Sequence, residues 1–293
     1  MKDIRVTNGT VVAKGGAPFL VKLLLKRNGG YGLCGGTLID PTTVITAGHC
    51  VYISPGNIVA ASGAYVYYGS ESSANLNYVT ATQVTLHESY DPKRAKNDIA
   101  ILRIPALTIV PGKVEAVSFY DDTIPPMQAL QIYGWGNTRT GGGSSSNPPS
   151  LLTQTVYTSQ PKDCQVIDPD YVSADGPQIC VNSHYNIGVD VCQGDSGTGA
   201  TIVNNGTQYY SGLVSYGTNA KGEATCGEDG SFGIYTNVYY YKSWIESITG
   251  NKYLSGPPND SSNAAPTPTV VATLTPTPTP TKPPRTCFFF ICF

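Results

Sequence analysis

Along most of the chain, apolar side chains come in short β-branched and aromatic runs separated by Gly, Pro, Asn and Ser, a pattern of strands and turns. The run FLVKLLLK from Phe19 to Lys26 predicts a strand, and GLCGGTLID predicts another around the Gly-flanked Cys34. In VITAGHCVY, Val44 and Ile45 read as buried, just ahead of a small-residue turn carrying His49 and Cys50. Residues 58 to 86 alternate apolar and polar through YVYYG and YVTATQVTL, the period of half-buried strands. A polar loop follows, in which His87 reads as surface, and then Asp98 stands directly before the apolar run IAIL. Near the other end, Tyr241, Trp244, Ile245 and Ile248 recur at three- and four-residue spacing, which predicts a short helix stopped near Gly250.

Length and composition sharpen this picture. A chain of 293 residues is long enough for two average domains or one larger all-β unit. With 13% charged residues and a net charge of -2 it has no basic footprint for nucleic acid. Eight cysteines, at 34, 50, 164, 180, 192, 226, 287 and 292, include no CxxC pair, so disulfides in an oxidising compartment are expected rather than zinc. Their pairing is open at this level. Sequons at Asn8, Asn205 and Asn259 fit a secreted route, although MKDIR has no apolar leader. Beyond Gly250, Pro and Thr interleave in PTPT units, the composition of an extended, unpacked and often O-glycosylated stalk. The final CFFFICF, with Cys287 and Cys292, is too short to span a bilayer.

Candidate chemistry concentrates at Asp190 to Gly199, DVCQGDSGTG. A serine hydroxyl such as that of Ser196 attacks only if a base takes its proton and donors stabilise the oxyanion. Gly194 permits the backbone angles that turn N–H groups towards one point, and Gly197 removes bulk behind the serine. His49 is one of three histidines, and its backbone is anchored if Cys50 pairs with Cys34. Asp98, at the edge of a buried strand, needs hydrogen-bond partners; strand capping or a neutral imidazole N–H would each satisfy it. Arg5 before Val6 reads either as a frayed terminus or as a cleavage point whose new α-ammonium enters the fold.

TAGHC, NDIAIL, GWG at 134 to 136 and GDSG, in that order, resemble the trypsin-like serine proteases of the chymotrypsin family, from about Val6 to about Gly250. The resemblance implies an all-β fold of two six-stranded antiparallel β-barrels with the active site between them, and a short C-terminal helix on the second lobe. It divides the chain into a propeptide remnant at 1–5, a protease domain at 6–250 and a disordered Pro/Thr-rich tail at 251–293. It implies Ser196 as nucleophile, His49 as general base, Asp98 as the carboxylate that orients it, and Gly194 and Ser196 as oxyanion donors. Ser215 would bond Asp98. Asp195 would receive the α-ammonium of Val6 released by cleavage after Arg5. Asp190 would floor a pocket for Arg or Lys, with Gly217 and Gly233 as its small walls, and Val191 would tilt the choice towards Arg.

The same resemblance pairs Cys34 with Cys50, Cys164 with Cys180, and Cys192 with Cys226. No cofactor or metal is expected, and the lack of a second acid near Glu71 argues against a calcium loop. Protein or peptide substrates, protein protease inhibitors, a monomer, no transmembrane segment and secretion are the remaining expectations. Three features depart from the family pattern: Val6 and Thr7 stand at the junction where Ile and Val are usual, Thr198 stands where glycine is usual and is expected to crowd the strand below the serine, and TNAKGEAT lengthens a pocket rim. The loop at 137–150 is flexible by composition, with Arg139 a self-cleavage point.

Overall fold

The short apolar runs form sixteen strands among the described residues, 9–136, 149–186, 191–224 and 229–256, of a computed structural model. The first half holds β1 (Thr10–Val11), β2 (Leu20–Arg27), β3 (Gly30–Asp40), β4 (Thr43–Thr46), the one-turn helix α1 (Gly48–Val51), β5 (Tyr52–Ser54), β6 (Asn57–Ile58), β7 (Ala64–Tyr68), β8 (Asn77–Thr80), β9 (Gln83–Leu86) and β10 (Ala100–Arg103). The second half holds β11 (Ala129–Gly134), β12 (Leu152–Tyr157), helix α2 (Pro161–Cys164), β13 (Gln178–Asn182), β14 (Gly199–Asn204), β15 (Thr207–Asn219), β16 (Ser231–Asn237) and helix α3 (Lys242–Thr249).

Two seven-stranded sheets result, ordered β8-β7-β2-β3-β4-β10-β9 and β1-β12-β11-β14-β15-β16-β13. The edges of the first are consecutive in the chain. β8 pairs with β7, then Ala81 N–H bonds Ala64 O (2.8 Å), Thr82 N–H bonds Arg103 O (2.7 Å), and β9 pairs with β10. One segment therefore serves both edges, so the sheet curls closed and β8 with β9 counts as a single broken strand of a six-stranded barrel. In the second sheet, two-residue β1 adds outside β12, and the opposite edge returns through Ser159 N–H to Cys180 O (3.1 Å). The two six-stranded barrels inferred from the motifs are thus present, with β1 as an extra edge.

Burial follows the alternation. In β2, Leu23 and Leu25 are fully buried while Lys22, Leu24 and Lys26 face outward. One core gathers Leu23, Leu25, Ile45 and Ile101, and another gathers Leu130, Ile132, Ile179 and Tyr235. Disulfides join Cys34 to Cys50 and Cys164 to Cys180.

Two expectations are corrected here. Helix α3 ends at Gly250 in the left-handed conformation (φ 71°), but its own Ile245 and the preceding Tyr241 join a buried cluster made mostly of first-barrel side chains rather than the cluster of Leu130 and Tyr235 in the second. Ile248, also assigned to the buried face, is 40% exposed. An apolar stripe shows that a face is buried and is silent on which surface covers it. His87 is half-buried rather than free on the surface, its ring 4.7 Å from that of Trp244 and 5.4 Å from that of Tyr241, and this burial lowers its pKa. Among the described residues, no helix is long and apolar enough to cross a membrane.

Candidate active site

Helix α1 begins where β4 ends and places His49 over the start of the strand that follows Asp98. The Asp98 carboxylate, 1% exposed, accepts from the His49 backbone N–H (2.7 Å, Oδ1) and contacts the His49 ring at Nδ1 (2.8 Å, Oδ2). Ser215, buried in β15, donates its hydroxyl to Oδ2. Thr236 of β16 holds the Asp98 carbonyl at 2.9 Å, so both barrels grip this residue. Burial pushes the Asp98 carboxyl up, but the charge of His49 and these hydrogen bonds outweigh it, and the pKa lies below the usual value. An ionised carboxylate can only accept, so Nδ1 carries the proton and Nε2 is left as the basic nitrogen. Burial likewise pulls the His49 imidazole down, and the charge and hydrogen bond of Asp98 more than reverse this, holding it above its ordinary value.

Ser196 sits in a loop built around a buried acid. Asp195 is fully buried and accepts from Gly136 N–H (2.6 Å) and Cys192 N–H (2.9 Å). Burial pushes its pKa up to about 7 against the pull of these two bonds, and among the described residues no cation pairs with it. The motif GWG acquires its physical reason here: a Cβ on Gly134 would collide with the Asp195 carboxylate, and one on Gly136 would crowd both it and the Gln193 carbonyl. Trp135 is buried alongside and donates to Glu71 O at 3.2 Å.

The loop backbone alternates in a useful way. Asp195 N–H is taken by Cys192 O (3.0 Å) and Gly197 N–H by Val214 O (2.8 Å). Among the described residues, no acceptor takes the N–H of Gly194 or of Ser196. Gly194, at φ 98°, adopts a conformation that side chains disfavour. Two such N–H groups, that of Ser196 itself and that of Gly194 two residues earlier, are the kind of donor that could meet an oxyanion.

Thr198 does not crowd the strand below the serine. Its side chain is fully buried and occupies the space left by Gly35, where a Cβ would overlap the Thr198 hydroxyl. Thr198 keeps its backbone bonds to Asp195 O (2.9 Å) and from Val214 N–H (3.0 Å), while Oγ1 is a buried hydroxyl with no hydrogen-bond partner.

His49, Asp98, Ser196, Ser215 and Gly217 line one cleft of about 280 Å³, together with Val191 and Cys192. Gly233 is the partner of Gly217 across β15 and β16. Tyr90, Pro92 and Tyr216 make an apolar wall that motif reading missed, although Tyr216 directly follows Ser215 in the chain. The lengthened rim reaches the cleft at Ala224, with Asn219 Oδ1 accepting from Lys221 N–H (2.9 Å) and Glu223 N–H (3.0 Å). Glu71 Oε1 is taken by Gly15 N–H at 2.7 Å. Cys192 is disulfide-bonded. Arg5, Val6, Asn8, Arg139, Asp190, Cys226, Asn259, Cys287 and Cys292 lie outside the described residues.

Known proteins carry the same pattern. A family model described as Trypsin matches residues 6–245. Human Serine protease 1 is 30% identical over 253 residues, which cover 84% of this chain and 90% of that protein. Trypsin I-P1 of Gallus gallus is 29% identical over 245 residues, covering 84% and 89%. Trypsin of Xenopus laevis is 29% identical over 245 residues, covering 84% and 91%. With a match of this extent over the segment that builds both barrels and the cleft, the chain belongs to the trypsin family and is a serine-type endopeptidase.

Proposed function

We propose that this protease cleaves peptide bonds after Arg, and less readily after Lys, by an acyl-enzyme mechanism, and that cleavage after Arg5 activates it. The observation that carries the reading is the Asp98 carboxylate holding His49 at both its backbone N–H and its ring, with Ser196 on the same cleft. His49 Nε2 takes the proton of Ser196 as Oγ bonds to the substrate carbonyl carbon, and the N–H groups of Gly194 and Ser196 receive the oxyanion. The protonated imidazole then gives its proton to the leaving amine. Water repeats the cycle on the ester and frees Ser196.

For the substrate side chain, we assign the counter-charge to Asp190, which directly precedes the cleft residues Val191 and Cys192 in the chain. A carboxylate in a narrow slot is costly until a cation pairs with it, and a guanidinium does so with two parallel bonds. Val191 brings no hydroxyl to help hold a shorter Lys, hence the preference for Arg. Activation follows the same electrostatics at Asp195: a buried acid pushed up to about 7 gains most from an ammonium, and the α-amino group of Val6 would supply it. The disulfides fit an oxidising compartment, so we place the protein outside the cell, as a monomer acting on protein or peptide substrates and open to protein inhibitors that present the same side chain.

The chain beginning at Val6 is the form to test. A fluorophosphonate should label Ser196, and a peptide library should be cut first after Arg; an unlabelled Ser196 would mark a non-catalytic binding module on this fold. The pH dependence tests His49 separately. The neutral imidazole is the active form, and a raised pKa enlarges its protonated share at any given pH, so kcat/KM should fall on acidification with a midpoint above the ordinary histidine value of about 6.5. Equal rates on an Arg ester at pH 5 and pH 8 would sink the assignment.

A further inference from the structure

We infer that Arg27, at the end of β2, is a positioning residue for His49: its guanidinium fork ties down the carbonyl end of the one-turn helix that presents the imidazole. The inference rests on His49 acting as the general base proposed above.

Arg27 Nη2 donates to His49 O (2.8 Å) and Cys50 O (2.6 Å), and Nη1 donates to Tyr52 O (3.3 Å). Helix α1 is four residues long, so its last carbonyls have no following turn to supply N–H donors. Val59 N–H serves Val51 O, Arg27 reaches in from β2 to serve His49 O and Cys50 O, and a cation suits the carbonyl end of a helix. His49 is consequently held at both ends of its backbone, N–H by Asp98 and carbonyl by Arg27. Space for the fork comes from Gly32 on β3, where a Cβ would stand 3.0 Å from Arg27 Nε. Among the described residues Arg27 pairs with no carboxylate, so its hydrogen bonds are spent on this one segment.

The arrangement also has an electrostatic side. Asp98 favours the imidazolium and Arg27 opposes it, and among the described residues these are the charged groups that act on His49. Tyr90 shares the cleft as a neutral phenol, pushed well up by burial. Lysine would keep the charge without spanning three carbonyls, because an ammonium is a point rather than a fork.

The test compares the Val6-started enzyme with Arg27→Met and Arg27→Lys, using an Arg ester, an amidine competitive inhibitor, fluorophosphonate labelling and thermal unfolding. Arg27→Met should lose about tenfold or more in kcat, as expected for a misplaced base, with KM and inhibitor binding within about twofold. Its acid limb should move to higher pH, since removing a positive charge favours the imidazolium. Arg27→Lys should lose kcat with its acid limb in place. If the parent enzyme labels at Ser196 and Arg27→Met keeps both kcat and acid limb, the role of Arg27 is overturned alone. If Arg27→Met does not fold, a fully active Arg27→Lys overturns it and a slow one with an unmoved acid limb supports it. An unlabelled parent overturns the His49 reading and this inference with it.

Discussion

Ser196→Ala is expected to lower kcat on an Arg ester by on the order of 10⁶-fold while leaving binding of an amidine inhibitor intact. His49→Ala should cost about as much, and the double variant little more, because base and nucleophile act as one unit. Asp98→Asn should cost on the order of 10⁴-fold for a different reason. The carboxylate now accepts from His49 N, His49 Nδ1 and Ser215 Oγ, and an amide must turn one donor of its own towards that set. Either a donor is opposed, which pushes the ring out of place, or the imidazole flips its tautomer, which puts the proton on Nε2 and removes the base. Initial rates on protein made free of other proteases decide the matter. Retention of more than about 1% of kcat by Ser196→Ala would contradict an acyl-enzyme at that residue.

Gly134→Ala should be the most damaging single methyl group outside the cleft. The added Cβ would occupy the place of the Asp195 carboxylate, which Gly136 and Cys192 hold one residue before Ser196. Overpacking of this kind costs about 1–3 kcal/mol where neighbours can yield. Here the neighbour that must yield is itself buried and bonded, so the cost should reach or pass the top of that range, with kcat down at least about 100-fold as the Gly194 and Ser196 N–H groups lose their alignment. Gly30→Ala is the control, with no atom within 4 Å of its added Cβ. Thermal unfolding and ester hydrolysis by the two variants should differ widely. A Gly134→Ala protein as stable and active as Gly30→Ala would show that the space around Asp195 is adaptable.

The candidate site was legible to the extent that its chemistry is written in contiguous letters. Ser196 with its glycines, His49 beside Cys50, and Asp98 before a buried run are local combinations, and their order along the chain pointed to the family. The strands were legible because alternation and β-branching are local as well. Thr198 illustrates the limit: next to Ser196 it reads as a source of crowding, yet the space it fills belongs to Gly35, on a strand more than 150 residues away in the chain. His87 and α3 illustrate it again, since ring packing between them links segments that no periodicity connects.

What the sequence determined by itself was the class of fold, the reaction type and the candidate residues proposed to carry it, because strand-forming patterns and nucleophile loops are properties of neighbouring side chains. Tertiary structure alone decided how the barrels close, which core receives α3, why GWG must be glycine on both sides, and that Arg27 reaches the carbonyls of the His49 helix. The physical reason is common to all four. Collisions, closures and hydrogen bonds between distant segments depend on where the chain returns in space, and that is set by the packing of both barrels rather than by the residues on either side.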